Sequence, residues 1–147
     1  MSRVPLSDEE TRFIFAGEAR SNLGDCDPGD QRQIINRLID IADRQSPPGQ
    51  LVHEKIQNID IFTAGDQCRI YTKTVTYVPE NEPTYHIIFL LYIDDAHDYE
   101  QRVLAEYNQL SQTLLEAATS LDSVTDVEAY LEHHNALSPD DLRSFLD

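Results

Sequence analysis

The chain is poor in several residue types whose scarcity narrows the reading. It has two lysines, two cysteines, one methionine and no tryptophan among 147 residues. Cys26 and Cys68 lie far apart with no C-x-x-C pairing, so neither a disulfide framework nor a zinc site is signalled, and reduced, buried thiols are expected. The longest apolar run, Ile87 to Ile93, falls far short of the ~20 residues of a membrane helix. The first residues show no charged-then-apolar leader, so a cytoplasmic protein is expected. The length suits one domain with a real core better than two.

Lysine is scarce because the charge is skewed. Nine arginines and two lysines face sixteen aspartates and eleven glutamates, for a net charge of −16. Aspartate-rich, lysine-poor usage is similar to that of proteins from salt-loving organisms. Molar salt shrinks the screening length to ~3 Å, which damps self-repulsion while the carboxylates keep the surface hydrated. The skew is also uneven. Residues 1–73 carry nine basic and twelve acidic side chains, net −3, and residues 74–147 carry two and fifteen, net −13. Any anion-binding surface is therefore expected in the first half.

What is present reads as an α+β domain. Asp8-Glu9-Glu10 after Ser7 would place acids in the first turn of a helix, followed by Phe13, Ala16 and Leu23 on one stripe. Gly24 to Gly29 breaks it. Ile34, Ile35, Leu38, Ile41 and Ala42 then predict an amphipathic helix over Asp30 to Gln45, ended by Ser46-Pro47-Pro48-Gly49. The two make a helical hairpin. From Ile56 the period changes to that of strands: Ile59 to Phe62, a turn at Ala64-Gly65-Asp66, Cys68 to Val78, a loop at Pro79 to Pro83, and the almost unbroken apolar run Tyr85 to Ile93. A strand apolar on both faces belongs in the middle of a covered sheet. Asp94 or Asp95 then caps a long helix with Tyr99, Val103, Tyr107, Leu110, Leu114, Ala117 and Leu121 on one side. Thr125-Asp-Val-Glu128 and Ser138-Pro139-Asp140-Asp141 open two short helices of a structured tail. The expected architecture is thus an N-terminal helical hairpin on a three- or four-stranded antiparallel sheet, a long closing helix and a short helical tail.

Three stretches carry a family resemblance. His53-Glu-Lys55-Ile56, Ile59-Asp-Ile-Phe62 and Asp66-Gln-Cys-Arg69-Ile-Tyr71 stand in the order of a lysine-containing segment, a strand, a tight turn and an "R-h-x-Y/F" strand. Ile87 to Tyr99 is similar to an apolar strand, a short loop and a helix-opening tyrosine. Together they resemble the RelE/ParE toxin superfamily over roughly residues 8–110. Residues 1–110 are accordingly expected to form a toxin-like domain, and 111–147 an acidic helical extension of it.

The resemblance implies a metal-free, cofactor-free endoribonuclease acting on mRNA, free or ribosome-bound, and held in check by an antitoxin protein. A gyrase inhibitor is the family's other activity. Carried over by position, Arg69 matches the phosphate-binding arginine and Tyr99 the C-terminal catalytic tyrosine, with Lys55 or Lys73 as an auxiliary cation. His97 stands where relatives place basic or imidazole groups, and would serve as acid or base. Where active relatives carry Arg or Lys before the closing helix, this chain reads Asp94-Asp95-Ala96-His97-Asp98. Each carboxylate beside a partly desolvated phosphate costs on the order of 1–4 kcal/mol. A second reading follows: a catalytically degenerate module of the same fold that binds a protein.

Arg69, Tyr71 and Lys73 alternate along one strand and so share a sheet face. They form either a phosphate-and-base contact surface or the solvated face of an edge strand. Arg37 and Arg44 on the second helix either extend that patch or pair with Asp40 and Asp43. By position His97 reads equally as a plain loop histidine, and Tyr99 as a core residue of the closing helix. His133-His134 have no further ligand at metal spacing. The acidic extension is either a solubilising cap or a cover over the basic face.

Overall fold

A computed structural model describes residues 10–43, 54–56, 59–65, 68–78, 85–94 and 101–146. The N-terminus departs from the helical expectation. Glu10–Phe15 is a strand, β1, paired in parallel with the apolar strand near residue 90, from Glu10 opposite Tyr85 to Phe15 opposite Leu90. The reason lies in Thr11 to Phe15, where β-branched and aromatic residues are concentrated. Adjacent Phe13 and Ile14 are 0% and 3% exposed. Two neighbours buried on opposite sides suit a covered strand and not a one-striped helix.

A turn at Gly17 leads into α1 (Ala19–Asp25). Gly17 sits at φ +53, and a Cβ there would lie 2.7 Å from both the Leu91 carbonyl oxygen and the Tyr107 ring, so only glycine lets the chain cross so closely. The second helix, α2, is Pro28–Asp43. It starts two residues earlier than expected because the Asp27 carboxylate accepts the Asp30 N–H at 2.9 Å and Pro28 takes the first position. The helical pair therefore exists, with a first member of seven residues that begins after β1.

Four strands follow: β2 (Glu54–Ile56), β3 (Ile59–Ala64), β4 (Cys68–Val78) and β5 (Tyr85–Asp94), each antiparallel to the next. The spans of β3, β4 and β5 are close to those read from the sequence, with Gly65 at φ +66 in the tight turn. The sheet has the order β1-β5-β4-β3-β2, so it is mixed and five-stranded where an antiparallel sheet of three or four was expected. Three helices complete the chain: α3 (Gln101–Thr119), α4 (Val124–His133) and α5 (Pro139–Ser144). Asp94 is the last residue of β5 and not a helix cap, and Asp95 lies outside the described residues. Ser123 caps α4 by accepting the Asp126 N–H, which puts Thr125 inside the helix it was expected to open. Ser138 caps α5 as expected, with Pro139 in the first turn, and the Asp141 side chain returns a bond to the Ser138 N–H to complete a capping box.

The sheet separates two cores. On one face Phe13, Phe62, Ile70, Ile88 and Leu90 meet Ile34, Leu38 and Ile41 of α2 and Leu142 of α5. On the other, Ile14, Ile61, Tyr71, Ile87, Phe89 and Leu91 meet Tyr107 and Ala118 of α3 and Val127 and Leu131 of α4. The extension thus supplies both cores. It changes face around the free edge of β1, where Phe13 and Leu137 exchange backbone hydrogen bonds of 2.9 and 2.8 Å. That bridge occupies polar groups that an edge strand would otherwise leave open. No helix among the described residues is long and apolar enough to cross a membrane.

The extension is consequently expected to be needed for stability. Leu142 is 1% exposed, and Leu142→Ala should cost about 2–5 kcal/mol, read as a lower urea midpoint at constant molar KCl. An unchanged midpoint would mean that α5 docks only weakly.

Candidate functional site

Arg69 is the second residue of β4, between Thr63 on β3 and Asp94 on β5. Arg69, Tyr71 and Lys73 do share a face, that of α3, but β4 is the central strand and not an edge. Tyr71 is 1% and Lys73 8% exposed. Tyr71 lies 5.8 Å, centroid to centroid, from Tyr92, which lies 5.7 Å from Tyr107 on α3. This tyrosine row fills the space over the middle of the stripe. Only Arg69, partly exposed, retains contact with solvent.

The neighbour of Arg69 is set by an irregularity. Tyr71 is paired with Tyr92, whereas Thr72 is paired with Leu90, so the register passes over Leu91. The bulge turns both Leu91 and Tyr92 toward α3 and shifts the parity of everything after them. Asp94, which plain alternation would put on the α2 face with Ile88 and Leu90, comes to lie beside Arg69. It is only 5% exposed. Directly opposed residues bring their Cβ atoms to about 4.5–5.5 Å, close enough for the carboxylate to offset the guanidinium a phosphate would need.

The remaining candidates are placed less closely. Lys55 is in β2, two strands from β4, in register with Asp60. Asp60 belongs to the α2 face, is buried, and its carboxylate accepts the Thr74 N–H at 3.0 Å. Register therefore does not bring Lys55 to Arg69. His97, Tyr99 and Arg44 lie outside the described residues. Arg37 is paired with Asp40 at 2.7 Å and donates to the Thr63 carbonyl, which anchors α2 to β3. In the tail, the His134 ring lies 4.3 Å from that of Tyr130, and burial first, then His133, lowers its pKa. Among the described residues no three metal-ligating side chains cluster.

Two features were not legible in the sequence. One is the Arg69 and Asp94 juxtaposition, which depends on the bulge. The other is a cavity of about 390 Å³ between α1, α2 and α5, floored by Leu23, Ile35, Leu38 and Leu142, with Phe15 and Arg20 at its side. Its parts come from segments more than a hundred residues apart, so no local pattern announces it. Compared with known proteins, the chain matches no family model and no curated sequence.

Tyr107 offers a check on the α3 packing. Burial, then the Glu18 carboxylate beside it, pushes its pKa up to about 12 from the usual 10. A phenol raised in the folded state contributes stability that is complete below about pH 10 and is lost as pH climbs toward 12. The urea midpoint should therefore fall across that window, and Tyr107→Phe should flatten the fall. An equally steep decline in the variant would place the responsible group elsewhere.

Proposed function

We propose that this chain is a RelE/ParE-like scaffold that acts as a binding module for a protein partner, its nuclease chemistry having been lost. The order from α1 through four antiparallel strands to α3 is the order the resemblance implies. The observation that carries the loss of chemistry is the burial of the basic stripe: Tyr71 and Lys73 are buried on the sheet face that α3 and α4 cover, and Arg69 stands against Asp94. An RNA phosphate would have to displace a helix to reach the first two and outcompete a fixed carboxylate at the third. Protein binding follows from the same resemblance, because its members are held by an antitoxin protein.

The ribonuclease reading keeps one supporting observation. Arg69 is partly exposed, and its partner Asp94 precedes His97 and Tyr99 by three and five residues. A phosphate clamp there would use Arg69, with His97 and Tyr99 as acid and base, on mRNA free or ribosome-bound.

The experiment is expression in a salt-adapted host together with incubation of purified protein with RNA and mRNA-loaded ribosomes in molar KCl. The module predicts normal growth and intact RNA. Arg69→Ala should then show itself only in stability, because it strips a nearly buried carboxylate of its neighbour at about 1–3 kcal/mol. Growth arrest or cleavage relieved by Arg69→Ala and by Tyr99→Phe would replace the module with the nuclease. Co-expression with the product of an adjacent short reading frame tests the partner, and a stable complex is expected.

A further inference from the structure

We propose that the cavity between α1, α2 and α5 binds a small apolar carboxylate, a medium-chain acyl or arylalkyl acid whose tail lies on the leucine floor and whose carboxylate meets Arg20. The site lies on the α2 side of the sheet, away from Arg69, and stands whichever reading of that residue holds.

Size comes first. About 390 Å³ lies within the roughly 300–1,000 Å³ range of small-ligand pockets. The floor is apolar, and its one carboxamide is already committed: Gln31 Nε2 donates to the Leu23 and Cys26 carbonyls at 3.0 Å each, closing the end of α1. A ligand inside therefore meets aliphatic and aromatic surface, with nothing in the floor asking for a polar group.

Charge comes second, at the rim. The other described arginines whose contacts are resolved are occupied: Arg37 with Asp40, Arg143 with Asp140, Arg32 with the Leu146 carbonyl, and Arg12 over the Tyr85 ring. Arg20 differs. Among the described residues it faces no carboxylate, although the chain has 27 acids to 11 bases, and its guanidinium carbon sits 5.6 Å from the centroid of Phe15, a ring of the cavity wall. The ring holds the cation at the mouth by its quadrupole without neutralising it. An apolar body and a single anionic end complement such a site.

The occupant is a small molecule and not a protein surface. Among the described residues the large apolar side chain left exposed is Phe145, 61% accessible at the same mouth. One ring beside one pocket is far from the roughly 800 Å² per partner of a standard protein interface.

The test uses the full chain in molar KCl, with decanoate and 3-phenylpropionate as probes below any micelle-forming concentration, followed by titration calorimetry. Screening at ~3 Å leaves only contact ion pairs, so a surviving charge preference reports a direct contact. One saturable site is expected, with decylammonium at least about tenfold weaker than decanoate. Arg20→Gln should weaken decanoate about tenfold with an unchanged melting temperature, since the arginine is exposed and makes no ion pair. Gly24→Leu is the second variant: a Cβ at Gly24 meets nothing within 4 Å, leucine favours the helix, and its side chain would occupy the cavity. It should abolish binding while keeping or raising stability. No saturable binding of either acid would overturn the proposal. So would equal binding of decylammonium, binding indifferent to both variants, or a concentration-dependent dimer abolished by Phe145→Ser, which would assign the cavity to a second copy of the chain.

Discussion

The ten residues of β5 run between β4 and, over Tyr85 to Leu90, β1, and the strand is covered on each face, so the rest of the protein is arranged to satisfy it. Backbone polar groups buried this deeply must all find partners. β1 supplies them in parallel on one edge and β4 in antiparallel on the other. Near its end, where β1 has already turned away, Ala16 and Glu18 donate to the Leu90 and Leu91 carbonyls, and the Asn22 side chain of α1 accepts the Ile93 N–H at 3.0 Å. The glycine turn, the position of α1 and the bulge at Leu91 all serve this one requirement.

The bulge couples that requirement to the chemistry. By shifting parity it gives the α3 face an extra aromatic, Tyr92, and a carboxylate, Asp94, in place of an aliphatic residue. The tyrosine row and Asp94 then enclose a stripe that would otherwise resemble a phosphate-contact surface. Burial of Lys73 in a chain with two lysines indicates how completely the helices of that face cover the sheet. Acidity plays a different role on the outside, where Asp27, Asp126 and Asp141 take part at the starts of α2, α4 and α5 and favour the positive ends of those helices.

Periodicity made much of the fold legible. The strands at Ile59, Cys68 and Tyr85, the amphipathic stripe of α2, the body of α3 and the box at Ser138 each repeat a local signal that tertiary contacts reinforce. β1 was misread because acids before an apolar residue also open helices, and Phe13, Ala16 and Leu23 fall at spacings loose enough to pass as a stripe. What distinguishes the strand is a partner 75 residues away in register, Glu10 opposite Tyr85. The caps at Asp27 and Ser123 were missed for a smaller reason. Each lies two or three residues from another plausible start, at Asp30 and Thr125, and only geometry selects between them.

Taken by itself, the sequence determined the α+β class, the interior and covered place of β5, the acidic surface and the shared face of Arg69, Tyr71 and Lys73, because each follows from residue type and period along a single segment. Tertiary structure decided what that face can touch. Whether a stripe is open or covered depends on which helix lands on it, and whether an arginine stands alone depends on one skipped residue in the neighbouring strand. Both are relations between segments, set by hydrogen-bond register and packing, and neither is written in the local pattern of either segment.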